Sequence, residues 1–86
     1  MPTICQFYGI LIRMFFVDHA PPRFHAQYGE HKAVISIAEL SMSEGYLPRR
    51  ALNLVLDWAE LHQSELLKNW ELAASNEMPH SIKPLE

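Results

Sequence analysis

The stretch that decides the fold is FHAQYGEHKAVISI, residues 24–37. Two runs rich in β-branched and aromatic residues flank Gly29-Glu30, and the glycine comes first, as a two-residue type II′ turn requires. The pattern predicts a β-hairpin in which Tyr28 pairs with His31. In that register the side chains separate cleanly onto two faces: an apolar one with Phe24, Ala26, Ala33, Ile35 and Ile37, and a polar one with His25, Gln27, Lys32 and Ser36.

A second strand precedes the hairpin. Residues 10–17, ILIRMFFV, are apolar on both faces of an extended chain, and Arg13 is the one polar member. Asp18-His19-Ala20-Pro21-Pro22 follows as a loop, because its two prolines lack the N–H that a central strand needs. A short edge strand around residues 40–42 precedes a turn at Gly45. We therefore predict a small antiparallel sheet of three or four strands.

The C-terminal half has a helical period. Pro48 stands where the first residue of a helix is expected, and the pattern predicts one long amphipathic helix from Pro48 to Ser75. Its apolar stripe is formed by Ala51, Val55, Trp58, His62, Leu66, Trp70 and Ala73. Residues 76–86 contain two prolines and no period, so we expect a flexible tail. The prediction is one α+β domain over residues 1–75, with the helix packed on one face of the sheet.

Composition limits the class of protein. The chain has 86 residues, 49% of them hydrophobic and 20% charged, which is typical of a globular domain. A formal charge of −3 argues against a generic basic nucleic-acid binder. The single cysteine excludes an intramolecular disulfide and favours a reducing compartment. The apolar run at residues 9–17 is about half of a membrane span, and the first three residues lack the basic region of a signal peptide. We expect a cytoplasmic protein without membrane contact or cofactor.

Several short motifs resemble one bacterial family. They are FYGI at 7–10, IRM at 12–14, DH at 18–19, PP at 21–22, FH at 24–25, PRRA at 48–51 and WAELH at 58–62. Together they resemble the family called domain of unknown function 4160, over Met1 to about Ala73. The chain departs from that family's pattern at Arg23, where a histidine is usual. The resemblance implies a bacterial cytosolic setting and no defined activity. Members are often encoded beside another small protein, in a manner suggestive of toxin–antitoxin pairs.

The loop before the hairpin holds the candidate chemistry. A metal-free ribonuclease needs a base near neutral pH, an acid and a cation. His25 is our candidate base, His19 the acid, and Arg13 or Arg23 the cation, while Asp18 and Arg23 are candidates for binding an anion or a partner. We predict no metal site, because the histidine spacing matches no strong motif and arginine does not ligate metals. The alternative is that these side chains only hydrogen-bond and pack within the loop.

A second pair of candidate residues lies at the start of the predicted helix. Arg49 and Arg50 occupy a first turn, where acidic residues are normally favoured. They are candidates for binding a phosphate or a partner's carboxylate. The alternative is that they pair with Glu39 or Glu44 just upstream.

These features favour a protein-interaction module over an enzyme. One helix covers one face of a sheet, and Leu11, Phe15 and Val17 point to the other face as an apolar patch. We therefore expect a homodimer or a small protein partner on that face, and the resemblance implies a toxin–antitoxin-like gene pair as the setting. A tail folded back through Ile82 and Leu85 is the alternative cover. The alternative function is a metal-independent, histidine-dependent ribonuclease or a nucleic-acid-binding protein, with RNA as the partner.

Overall fold

The computed structural model describes residues 3–16, 18 and 20–86 of the chain. The fold is α+β, with one antiparallel sheet of five strands and two helices. The elements are β1 Thr3–Phe7, β2 Ile10–Arg13, β3 Arg23–Tyr28, β4 His31–Ser36, β5 Ser41–Gly45, α1 Arg49–Leu61 and α2 Gln63–Ala74. The strands lie side by side in chain order. The predicted fold class is confirmed, but the sheet has more strands than the three or four predicted.

The hairpin of β3 and β4 has the predicted register. Tyr28 pairs with His31, and the pairing continues without a shift to Arg23 and Ser36. Gly29 has a φ of 60°, as the first central residue of the predicted turn requires. The residues predicted for the apolar face are all buried.

The first hairpin was not predicted as such. β1 pairs with β2 through a two-residue turn at Tyr8-Gly9, with φ values of 47° and 78°. Positive φ at both central residues is the requirement of a type I′ turn. β2 ends at Arg13 rather than at the predicted residue 17, because Arg13 is the last residue with a partner on both neighbouring strands. Val17 lies outside the described residues.

The single long helix of the prediction is wrong. The chain forms two helices that meet at His62, whose φ and ψ of −122° and 25° leave the helical region. A straight helix over residues 48–75 would be about 40 Å long, whereas the longest dimension of the molecule is 33 Å. Gln63 Nε2 also donates to the Ile37 carbonyl at 2.7 Å, which ties the start of α2 to the end of β4. Neither helix in the described part of the chain is suited in length and hydropathy to cross a membrane.

Both helices pack on the same face of the sheet. The Trp58 ring of α1 contacts Phe24 of β3 edge-on at 5.8 Å and Phe7 of β1 at 5.4 Å between ring centroids. Leu66 of α2 is equally buried, whereas Trp70 is only partly buried at the margin of the core. The predicted contact between the hairpin and the helical stripe is confirmed at Trp58.

The C-terminal segment differs from the loose tail that we predicted. It has no helix or strand, but Ile82 is buried and donates its backbone N–H to the Ile4 carbonyl at 2.9 Å. Trp58 Nε1 donates to the Lys83 carbonyl at 2.9 Å. The segment is therefore fastened beside β1 on the helix-covered side. Single anchors of this kind leave no periodic pattern in the sequence.

We expect Asn69→Ala to loosen this segment. Asn69 is 2% exposed; its Nδ2 donates to the His80 carbonyl at 2.8 Å, and its Oδ1 accepts from the His80 N–H at 3.0 Å. Removing both bonds should lower the free energy of unfolding by about 1–3 kcal/mol, measured by urea denaturation. Asn53→Ala, on the exposed side of α1, is the matched control. Equal losses in the two variants would show that Asn69 does not anchor the segment.

Candidate functional site

In the described part of the chain, both helices lie on one face of the sheet, and the other face has no helix on it. We call it the open face and define it by Leu11, Arg13, Phe15, Arg23, His25, Gln27, Lys32, Val34 and Glu44. Most of these side chains line a shallow depression of about 260 Å³. Because side chains alternate along a strand, this face carries the residues that the core face does not use.

A row of side chains crosses the open face from strand to strand. Arg13 of β2 is the register partner of His25 in β3. His25 is in turn the partner of Val34 in β4, and Val34 is the partner of Glu44 in β5. Adjacent strands are about 4.8 Å apart, so each member of the row is next to the following one. Arg13 and His25 therefore project from the same face of adjacent strands.

His25 is held from two sides. Its Nε2 lies 3.1 Å from Asp18 Oδ2, and its ring meets the Phe15 ring nearly perpendicularly, with centroids 4.0 Å apart. The side chains of His25 and Asp18 are 28% and 15% exposed. The imidazole is thus oriented by a carboxylate and an aromatic ring but still reaches solvent. An imidazole in this setting can exchange a proton with a bound group.

The two arginines of the face differ in their partners. Arg23 Nη1 lies 3.4 Å from Glu44 Oε2 and forms an ion pair with it. Arg13 Nη1 instead donates to the neutral Gln27 Oε1 at 3.4 Å, and no ion pair between described residues involves Arg13. Its positive charge is therefore positioned without being neutralised. Arg13 is the better placed of the two to receive an anion.

Arg49 and Arg50 are not brought into this row. His19 lies outside the described residues, so its role as the acid stays a prediction. Arg49 and Arg50 are exposed at the start of α1, which packs on the opposite side of the sheet. Within the described residues neither forms an ion pair. Of the two acids suggested for them, Glu44 pairs with Arg23 instead, and Glu39 forms no ion pair with a described residue.

Sequence reasoning missed three contacts of the site. These are Gln27 as the hydrogen-bond partner of Arg13, Phe15 against the His25 ring, and Glu44 as the partner of Arg23. The sequence held a signal for the contact between Arg13 and Gln27, because the predicted hairpin register placed Gln27 on the same face as His25. It held none for the contact between Arg23 and Glu44, because a bulge in the pairing of β5 with β4 sets where Glu44 lies.

Metal binding and thiol chemistry find little support in the described residues. Within residues 3–16, 18 and 20–86, no three His, Cys, Asp or Glu side chains lie close enough to hold a metal ion. Cys5 is buried in the core, and burial raises the pKa of its thiol. A raised pKa leaves little thiolate at neutral pH, and the thiolate is the reactive form.

We expect Cys5 to resist modification in the folded protein. A thiol reagent that releases a chromophore should react slowly with the native chain at pH 7. In 6 M urea the same reagent should react with Cys5 as fast as with free cysteine, because unfolding removes the burial that raises the pKa of the thiol. Absorbance of the released chromophore measures both rates. Similar rates in the two conditions would show that Cys5 is accessible and activated.

The fold and the open face together define a class of protein: a small α+β domain whose five-stranded sheet is covered on one side and presents a histidine–aspartate pair beside an arginine on the other. The family model described as Domain of unknown function (DUF4160) matches residues 9–71. The chain therefore belongs to this family, as its motifs indicated. The match includes β2 to β5, α1 and most of α2. No curated protein and no solved structure matches the chain.

Proposed function

We propose that the protein is an interaction module that binds an acidic protein partner on its open face. The observation that carries this proposal is the unequal covering of the sheet. Helices and the C-terminal segment bury one face, whereas the other keeps Leu11, Phe15 and Val34 partly exposed around the guanidinium of Arg13. Apolar side chains around a cation are typical of a binding surface.

The charge of the open face favours a second protein over a homodimer. Among the residues that define it, Arg13, Arg23 and Lys32 outnumber Glu44, and they still outnumber the acids when Asp18 beside His25 is counted, although the whole chain has a formal charge of −3. Two copies meeting through this face would place like charges together, which is unfavourable. An acidic partner would complement it. A small protein encoded in the same gene pair, as in toxin–antitoxin systems, is the partner that we propose.

The test compares two charge reversals of equal size. Arg13→Glu changes the open face, and Lys68→Glu changes an exposed position on α2. The partner encoded beside the gene is purified, and its affinity for each variant is measured by titration calorimetry. We expect Arg13→Glu to weaken binding by about 30-fold or more and Lys68→Glu to have little effect. Equal weakening, or a dimeric mass of the isolated chain that Arg13→Glu abolishes, would contradict the proposal.

The contact between His25 and Asp18 favours a second candidate function, metal-free cleavage of RNA. His25 would take the proton of a ribose 2′-hydroxyl, and Arg13, its register partner, would stabilise the charge developing on the phosphate. The leaving oxygen would need a proton from a second group, the role predicted for His19.

This candidate is tested with labelled RNA in the presence of a chelator. Cleavage by the wild type and its loss in both His25→Gln and Arg13→Gln, with melting temperatures near that of the wild type, would support it. Cleavage that persists in His25→Gln would exclude His25 as the base. A large fall in melting temperature would instead show that His25 serves to hold the loop to β3.

A further inference from the structure

The three tyrosines of the chain gather at one end of the sheet. Tyr8, Tyr28 and Tyr46 are 59%, 39% and 58% exposed. Tyr8 lies in the β1–β2 turn, Tyr28 is the last residue of β3, and Tyr46 follows the end of β5. All three positions belong to the end of the sheet at which both hairpins turn. A single exposed apolar side chain is ordinary, but a group of exposed rings at one end of a sheet is typical of an interaction site.

Two contacts and one register pair connect these tyrosine positions with one another and with a histidine. The Tyr28 ring packs over Gly9, with Cε1 3.5 Å from where a Cβ of residue 9 would be, and Tyr8 is the neighbour of Gly9. Tyr28 is the register partner of His31, whose ring meets that of Tyr46 at 5.2 Å and 74°. We call Tyr8, Tyr28, His31 and Tyr46 the tyrosine ridge. From β2 to β5 it spans three strand spacings, or about 15 Å.

Tyr8 occupies a position that an aromatic residue does not favour. Its φ of 47° is in the left-handed region, where asparagine and glycine are the preferred residues of a type I′ turn. The ring nevertheless remains largely exposed. One edge contact, with the Phe7 ring at 6.3 Å between centroids, accounts for a small part of the ring. A residue that costs the turn stability and keeps most of its ring in solvent is a candidate for binding.

Positive charge lies at the same end. Arg49 is three residues beyond Tyr46, within about 10 Å by the reach of the chain. Arg49 and Arg50 are exposed, the first turn of α1 contains no acidic residue, and neither arginine forms an ion pair with a described residue. Glu30, in the β3–β4 turn, is an acidic residue at the same end of the sheet. The arginines leave an excess of positive charge beside the rings.

We infer that the tyrosine ridge binds single-stranded nucleic acid, with bases stacked on the rings and phosphates held by Arg49 and Arg50. Planar rings in a row beside unneutralised guanidinium groups match the planar bases and repeated charge of a single strand. The site is on a different surface from the open face, so it goes beyond the function proposed above. It also accounts for cations that the acidic partner of the open face does not use.

The test uses a fluorescently labelled 12-nucleotide oligouridylate and anisotropy at low salt. Tyr8→Asn/Tyr46→Ser removes two rings, and its Asn-Gly sequence is the one that a type I′ turn prefers. We expect binding to weaken by about 10-fold or more while the melting temperature stays the same or rises. Tyr8→Phe/Tyr46→Phe keeps the rings and should bind like the wild type. If the rings had only a structural role, Tyr8→Asn/Tyr46→Ser would instead lower the melting temperature and leave binding unchanged.

The arginines are tested by the salt dependence of the same binding. Arg49→Gln/Arg50→Gln should reduce the slope of log affinity against log salt by about 1.4, for two phosphate contacts to a single strand. Lys68→Gln, at an exposed position of α2, should leave both affinity and slope unchanged. Absence of binding by the wild type, binding insensitive to the loss of the two rings, or an equal loss in Lys68→Gln would each overturn the proposal. So would a protein partner that is shown to bind through the ridge.

Discussion

Trp58→Ala is expected to lower the free energy of unfolding by about 3–5 kcal/mol, the range for removing a large buried ring. Trp58 has no exposed surface, and its ring packs between Phe7 and Phe24. Its indole N–H is also the donor that fastens the C-terminal segment at Lys83. A small domain has about 5–15 kcal/mol in all, so the variant should be near the edge of folding. Urea denaturation followed by circular dichroism measures the loss.

Two controls separate the contributions of Trp58. Leu61→Ala, in the same helix, removes a side chain that is 69% exposed and should cost no more than about 0.5 kcal/mol. Trp58→Phe keeps an aromatic ring but removes the hydrogen bond to Lys83, so its cost should fall between the other two. If Trp58→Ala melts within a few degrees of the wild type, Trp58 is not the centre of the core.

Gly45→Ala is expected to cost about 3 kcal/mol or more, because two penalties add at this position. Gly45 has a φ of 80°, a backbone conformation that residues other than glycine disfavour. A Cβ there would also overlap the Lys32 carbonyl oxygen and lie 2.9 Å from Ala33 Cα, both backbone atoms of β4. Backbone cannot rotate aside, so β5 would have to separate from β4. Loss of amide protection in β5, measured by hydrogen exchange, would report this.

Gly29→Ala is the matched control. Gly29 has a similar φ of 60°, but no atom lies within 4 Å of the position of its Cβ. Its substitution should therefore cost only the conformational term, about 1–2 kcal/mol. The difference between the two variants measures the overlap with β4. Equal costs would show that β5 adjusts without losing its pairing.

The central row of the candidate site was within reach of sequence reasoning. Alternation along the strand and the glycine-first turn placed His25 and Gln27 on the face opposite Phe24. Arg13 lies on that same face once β2 is placed beside β3. The partner of Arg23 was out of reach, because Glu44 is positioned by a bulge in a short strand with no apolar period.

The sequence by itself determined what depends on neighbouring residues. The register of the β3–β4 hairpin follows from a two-residue turn and a period of two, and the helical content after Pro48 follows from a period of 3.6. Only the tertiary structure decided where the helix breaks and where the C-terminal segment lies. The helix breaks at His62, next to the hydrogen bond from Gln63 to the Ile37 carbonyl. Asn69 donates a hydrogen bond to the His80 carbonyl and so positions the C-terminal segment. Such contacts join residues that are distant in sequence, so their energy depends on how the elements pack, and no local pattern records it.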